Sequence, residues 1–269
     1  MEIKSKREEI GIGVTKELNL RVSVAALVRV LIHTPENEKT MLALEHTATL
    51  RKINGRSEIQ VRAKPFGGGV RIINPHALKE LIGNFNYDSE QSRRESDFRI
   101  QIGQSHWNKV KEICRKNFVE MGERILDPSP RRELVEEFED TLNVTITPDQ
   151  YRLKQVRLVE EDLPLKTENV RAAGLATVRV YYVFEARIVA HDLITRMLVN
   201  NRRYSDKDLQ KLALKNFRQG GKGRANAILL LGLDRLKKVY GSIPEDGHSH
   251  PMFVEGHQLE GNVRAIIMS

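Results

Sequence analysis

The stretch Ala176 to Val189 (Ala-Thr-Val-Arg-Val-Tyr-Tyr-Val-Phe-Glu-Ala-Arg-Ile-Val) is the strongest strand signal in this chain. It is crowded with the β-branched and aromatic residues that suit a pleated, buried surface. Leu20 to His33 is similarly rich in β-branched and apolar residues and reads as a buried strand. A turn at Thr34-Pro-Glu-Asn-Glu-Lys leads to a second strand from Thr40 to His46. Asn54-Gly55 is a turn signal, and Ser57 to Lys64 alternates as a strand. Pro65-Phe-Gly-Gly-Gly-Val breaks that alternation. The first third of the chain is therefore mostly β.

The middle mixes elements. Pro75 to Phe85 reads as a short helix, Asp88 to Glu95 as a polar loop, Phe98 to Ile102 as a strand and Trp107 to Phe118 as a helix. Pro130 suits the first turn of a helix reaching Leu142, with Ser129 as its N-cap. Val144 to Ile146 restarts β structure, and Leu153 to Leu158 is a further strand. Beyond His191 the pattern turns helical, at Asp192 to Val199, Ser205 to Arg218 and Ala225 to Val239, and the tail from Gly241 is loop-like. The order β-rich, helix, β-rich predicts an α/β fold, a mixed sheet sandwiched between helices, over residues 1–190. A helical C-terminal extension is expected over residues 191–269.

Composition narrows the function classes. Of 269 residues, 40% are hydrophobic and 30% charged, enough to bury a sizeable core. A formal charge of +8 suits an anionic partner, a nucleotide, a nucleic acid or a membrane surface, and suits a merely soluble basic surface equally well. No apolar run approaches the length of a membrane span, and Met1 to Glu9 lacks the apolar core of a signal peptide. The single cysteine, Cys114, excludes an internal disulfide and fits a reducing compartment, so a cytoplasmic protein with no membrane partner is expected. Cys114 itself lies on the apolar side of the Trp107 helix and reads as a small core residue.

The segment that carries chemistry is Arg131-Arg132-Glu133-Leu134-Val135-Glu136-Glu137-Phe138. At about 100° per helical residue, Glu133, Glu136 and Glu137 share one side, while Leu134 and Phe138 anchor the other. Carboxylates at that spacing repel by a few tenths of a kcal/mol each, and a hard divalent cation that takes oxygen ligands relieves the repulsion. Arg132 is four residues before Glu136 and can orient it. The same run also fits a solvated acidic helix face, and the run alone leaves both readings open.

These residues resemble the second half of the Nudix box, G-x5-E-x7-R-E-U-x-E-E-x-G-U with U a bulky aliphatic, position by position from Arg132 to Glu137. The strands before the helix and the long strand after it are similar to the order in that family, and so is a glycine-rich turn, here Gly67-Gly68-Gly69. The resemblance spans roughly Val22 to Val189. It departs in two places: Glu139 stands where the box has its last glycine, and about 60 residues separate Gly69 from Arg132, an insertion at about residues 75–125. Glu123 is the candidate for the upstream glutamate. The resemblance implies a Nudix-like domain in which Glu133, Glu136 and Glu137 hold Mg²⁺ or Mn²⁺ against a pyrophosphate and Arg132 orients them. It implies hydrolysis of a nucleoside diphosphate linked to another moiety. A metal there neutralises the pyrophosphate, activates a bound water and stabilises the leaving phosphate. Glu139, Asp140, Glu160, Glu161 and Glu168 are candidates for the general base. Arg62, Lys64 and Arg71, near the glycine turn, are candidates for contacting the phosphates, together with Gly67, Gly68 and Gly69.

Three further signals remain. Gln219-Gly-Gly-Lys-Gly-Arg precedes an expected helix start whose amides can bind phosphate, although an ordinary loop fits it better. His248, His250 and His257 match no standard zinc spacing and read as a surface loop. The basic helices beyond residue 191, with Arg196, Lys211 and Arg218 among their cations, suit a nucleic acid, a homodimer contact or a cap on the sheet. The rival to an enzyme is thus a nucleotide-binding sensor that reports through these helices to nucleic acid or a partner protein.

Overall fold

The computed structural model describes residues 19–34, 39–53, 56–120, 125–166, 174–243 and 250–268. The expected positions Asn54, Gly55, Glu123, Glu168 and His248 lie outside them. Strands β1 (Asn19–Thr34), β2 (Lys39–Ile53), β3 (Arg56–Lys64), β4 (Phe66–Gly69) and β5 (Arg71–Ile72) come first. Helix α1 (Pro75–Ile82), strand β6 (Asn86–Tyr87), helix α2 (Glu90–Glu95), strand β7 (Arg99–Gly103) and helix α3 (Trp107–Glu120) follow. Strand β8 (Leu126–Asp127) leads into helix α4 (Pro130–Leu142), and strands β9 (Tyr151–Lys166) and β10 (Ala176–Ile188) come after it. The chain continues through α5 (His191–Arg203), α6 (Asp206–Arg218), β11 (Arg224–Gly232), α7 (Leu233–Gly241), β12 (Met252–Val254), β13 (His257–Leu259) and α8 (Val263–Ile267).

Eleven of these strands form one mixed sheet. The two strongest strand signals of the sequence lie side by side in it: β1 and β10 pair in parallel from Arg21↔Thr177 to Leu31↔Arg187. Strands buried on both faces need apolar residues at nearly every position, which is why neither segment alternates with polar residues. Val22, Val24, Ala26, Val28, Val30 and Ile32 of β1 pack on one face, with Leu78 of α1, Cys114 of α3, Leu134 and Phe138 of α4, and Met197 of α5. Leu27 and Leu31 turn to the other face, with Leu236 and Tyr240 of α7 and Ile266 of α8. Leu209 and Ala213 of α6 form a smaller cluster with Ala48 and Ala227. The fold is therefore mixed α/β with helices on both faces of the sheet. Each fully buried Val, Leu or Phe contributes about 1.5–3 kcal/mol of transfer free energy.

Cys114 is buried among these residues, as its helical position predicts. Ser205 opens α6 where the sequence places a helix start, and does so through a reciprocal capping box with Asp208. Ser129 occupies the N-cap position of α4, but its hydroxyl donates to Asp127 rather than accepting from the helix.

The C-terminal region is not the helical extension expected. Ala225 to Val239, read as one helix, is strand β11 followed by α7. β11 pairs antiparallel with β2 from Arg224↔Thr49 to Gly232↔Met41 and so belongs to the main sheet. Its run of Ala, Ile and Leu is buried on both faces, and a doubly buried strand has the same local pattern as a buried helix. Tertiary pairing decides between them. The outer edge of β11 is covered by α5: the Asn200 and Asn201 side chains accept from the Ile228 and Leu230 amides at 2.7 and 2.9 Å. No helix starts after the Gln219–Gly223 loop, so the expected phosphate site at a helix N-terminus there is withdrawn. The tail expected as loop holds the β12–β13 hairpin and α8. Asp88 to Glu95, expected as loop, contains α2, while Val144 to Ile146, expected as β structure, is irregular.

Candidate functional site

Pro65 interrupts one long strand and moves the chain from β2 to β1. Before it, Lys64 lies opposite Glu45 in the β2–β3 ladder; after it, β4 runs antiparallel to β1 from Val28↔Phe66 to Ala25↔Gly69. Helix α4 lies against this bend. Phe138 meets the Phe66 ring at 5.2 Å between centroids, and Leu134 is fully buried beside it. Pro130 at the first turn and Asn143 in a left-handed conformation at the C-cap bound the helix. This packing turns Glu133 and Glu137 inward.

Glu133 is 6% exposed and holds Arg132 at 2.5 Å. Its carboxylate fills the space that a side chain on Gly68 would need: a Cβ there would lie 2.0 Å from Oε2. Gly69 leaves similar room for the Asp97 carboxylate, at 2.5 Å. Burial pushes Glu133 up from the usual carboxylate range, with Arg132 opposing and Glu136 and Asp97 adding to the rise. Asp97 is likewise raised by burial, although Arg99 pairs with it at 2.7 Å. Glu136 points outward, 57% exposed, with Arg132 at 3.5 Å.

Glu137 reaches a second, denser group. Lys64 Nζ stands 2.6 Å from Glu45 and 3.3 Å from Glu137, and Arg224 also pairs with Glu45. Thr47 donates to Glu45 at 2.7 Å. Burial raises Glu137 well above the usual range, and the neighbouring Glu45 carboxylate raises it further. Burial would raise Glu45 too, but a proton held by Glu137 and the cations of Lys64 and Arg224 bring it down instead. Glu137 is thus the protonated partner of the pair and donates to Glu45.

The remaining sequence candidates distribute around this core. Arg62 precedes Lys64 by two residues on the same face of β3 and pairs in register with Thr47. Arg71 is exposed on β5, close enough to Glu133 to oppose its upward shift. Gly67 takes φ +139° where β4 meets Ala26, a conformation and a contact that exclude a side chain. Of the candidate bases, Glu139 accepts from Thr145 at 2.5 Å, Glu160 pairs with Arg115 at 2.6 Å and Glu161 lies 3.5 Å from Arg179. The carboxylate that meets Glu137 is none of these. It is Glu45, the one acid in the apolar run from Met41 to His46, and a buried charge in such a strand was the available signal. Asp97 and Arg224 were missed as well.

A cleft of about 550 Å³ opens beside the N-terminus of α4. It is lined by Pro128, Ser129, Arg131, Arg132, Lys154 and Phe184, among others, a size that suits a small molecule. Arg132 belongs both to this cleft and to Glu133.

The donor set tests the expected metal. Glu133, Glu136 and Glu137 are oxygen donors of the kind Mg²⁺ or Mn²⁺ takes, but Glu133 meets Arg132, Glu137 meets Lys64 and Glu45, and Glu136 faces solvent. Among the described residues, the one group of three His, Cys, Asp or Glu donors within 4.8 Å of one another is not on α4 but at His46, Asp206 and His257. A Mg²⁺ ion needs no such triad, because it keeps several waters and binds through one or two carboxylates plus substrate phosphates. Among the described residues no helix is long and apolar enough to cross a membrane. No family model matches the chain, and no curated protein matches it in sequence.

Proposed function

We propose that the chain is a Nudix-type hydrolase that cleaves the pyrophosphate of a nucleoside diphosphate linked to another moiety, with Mg²⁺ or Mn²⁺ as cofactor. The observation that carries this reading is one helix that sets buried Glu133 against the glycine strand and part-buried Glu137 beside Lys64 and Glu45, next to a cleft lined by Arg131, Arg132 and Lys154. Carboxylates do not stay buried and crowded without a compensating role or partner. In this reading Glu133, Glu136 and Glu137 would hold the ion, and Arg132, which pairs with Glu133 and Glu136, would orient them. When bound, the metal supplies charge neutralisation and a water of lowered pKa. Arg131, Arg132 and Lys154 line the cleft and bind the substrate's phosphates there. Lys64 would stabilise the charge of Glu45 and Glu137 beside such an ion.

One observation favours the second reading, a sensor that binds a nucleotide without rapid turnover. Lys64 and Arg224 already neutralise Glu45 and Glu137 from within the protein. The test is nucleotide or phosphate release from dinucleoside polyphosphates, nucleotide sugars, NAD, ADP-ribose and nucleoside triphosphates, with and without Mg²⁺ or Mn²⁺. Metal-dependent turnover that Glu137→Gln abolishes supports the enzyme. Nucleotide-dependent stabilisation without turnover supports the sensor. Neither effect refutes both.

A further inference from the structure

We propose that His46, Asp206 and His257 form a binding site for a transition-metal dication of the Zn²⁺ class, separate from the carboxylates of α4. His46 Nε2 lies 3.1 Å and His257 Nδ1 lies 3.0 Å from the same oxygen, Asp206 Oδ1. One donor atom from each residue lies within 4.8 Å of the other two. The two rings meet edge to face, at 5.1 Å and 89°. Ligand atoms about 2.0–2.1 Å from a tetrahedral ion lie about 3.3–3.4 Å apart, so each observed N···O distance must open by only about 0.3 Å.

The fold builds this site from three elements. His46 is on β2 and pairs in register with Ala63 of β3, and Ala63 pairs with Leu259 of β13. His257 stands two residues before Leu259 and therefore on the same face of the sheet. Asp206 opens α6, where the Ser205–Asp208 capping box holds the backbone in place. Strand alternation sends Glu45 to the opposite face from His46, so the site is across the sheet from Glu137. His46 is 2% exposed, and burial holds its imidazole far below the usual value, at about 4, against the pull of Asp206. It is thus neutral, the form that coordinates metal.

Two imidazoles and a carboxylate are the borderline donor set that suits Zn²⁺ and that Mg²⁺ does not seek. Three protein ligands leave a fourth position, which opens to solvent because Asp206 and His257 are 35% and 27% exposed. An ion there clamps the C-terminal hairpin and the start of α6 to the sheet.

The test uses the full chain stripped with chelator and titrated calorimetrically with ZnCl₂ alone, with Co²⁺ substitution to read coordination from visible absorption. One Zn²⁺ per chain is expected, with a raised melting temperature and a Co²⁺ spectrum of four- or five-coordinate intensity. His257→Gln and Asp206→Asn should each weaken binding by more than about 100-fold, since losing even an outer-shell partner costs about 10–100-fold. Melting in chelator shows first that each variant folds; His257 lies on a surface hairpin, and Asp206→Asn keeps the shape of the side chain. Glu137→Gln and His250→Gln should leave binding unchanged. The proposal is overturned if wild type binds no Zn²⁺, if the ligand variants bind as tightly as wild type, or if binding is lost in Glu137→Gln or His250→Gln instead.

Discussion

Replacing Gly68 by alanine separates a structural role of the glycine strand from its role beside the α4 helix. An added Cβ meets Glu133 Oε2 at 2.0 Å, Cδ at 2.6 Å and Oε1 at 2.9 Å, with no backbone atom among the nearest three. Ordinary contact begins at 3.4 Å, so the carboxylate must retreat by about 1.4 Å, which breaks its 2.5 Å pairing with Arg132. Inserting a methyl group into a packed site costs about 1–3 kcal/mol. The backbone at Gly68 is not left-handed, so alanine recovers about 0.5–1 kcal/mol of chain entropy. The net expectation is a loss of about 1–2 kcal/mol in urea denaturation. Gly67→Ala is the contrast: its Cβ meets the Ala26 carbonyl oxygen at 2.0 Å, with φ at +139°. Backbone cannot swing aside, and the cost there is about 3 kcal/mol or more. A double-mutant cycle then isolates the contact. With Glu133→Ala in place only the chain-entropy gain of about 0.5–1 kcal/mol should remain, so the coupling equals the steric cost, about 1–3 kcal/mol. Equal destabilisation by Gly68→Ala in both backgrounds would refute the claim that the glycine makes room for this carboxylate.

Three other outcomes are expected. Hydrogen bonds from Arg187, Arg29 and Lys154 hold Glu185 at about 2 against burial, so its stabilisation is full above the ordinary 4.5 and is lost as pH falls towards 2; Glu185→Gln should flatten the acid limb of a stability–pH curve. Glu137 is raised, so the folded chain keeps a proton that the unfolded chain releases, and stability falls as pH rises above 4.5; Glu137→Gln should remove that slope. Asn201→Ala orphans the Leu230 amide at the covered edge of β11, with an expected loss of about 1–3 kcal/mol and faster hydrogen exchange at that amide.

Much of the framework was legible along the chain. Long runs of Val, Ile and Tyr have few ways to bury themselves, and β1 and β10 are strands where Leu20–His33 and Ala176–Val189 indicated. The spacing of Leu134 and Phe138 set which side of α4 faces the core, but the three glutamates expected on the opposite side divide: Glu133 and Glu137 turn inward and Glu136 faces solvent. Pro130, Ser205 and the buried position of Cys114 were equally local matters. Each depends on contacts within one turn or one strand.

Pairing partners distant in sequence decided the rest. Whether Ala225 to Leu231 became strand or helix depended on the edge of β2, some 180 residues earlier, because a doubly buried strand and a buried helix share one local pattern. That pairing carries Arg224 to Glu45, and the Pro65 bend carries Lys64 between Glu45 and Glu137. No spacing rule announces such a group, since its members are held together by register and not by period. The same holds for His46, Asp206 and His257: each is an unremarkable polar residue in its own segment, and only the ladder β2–β3–β13 and the docking of α6 bring their donor atoms within reach of a single ion. Sequence determines what each segment must bury; tertiary pairing determines which charges then meet.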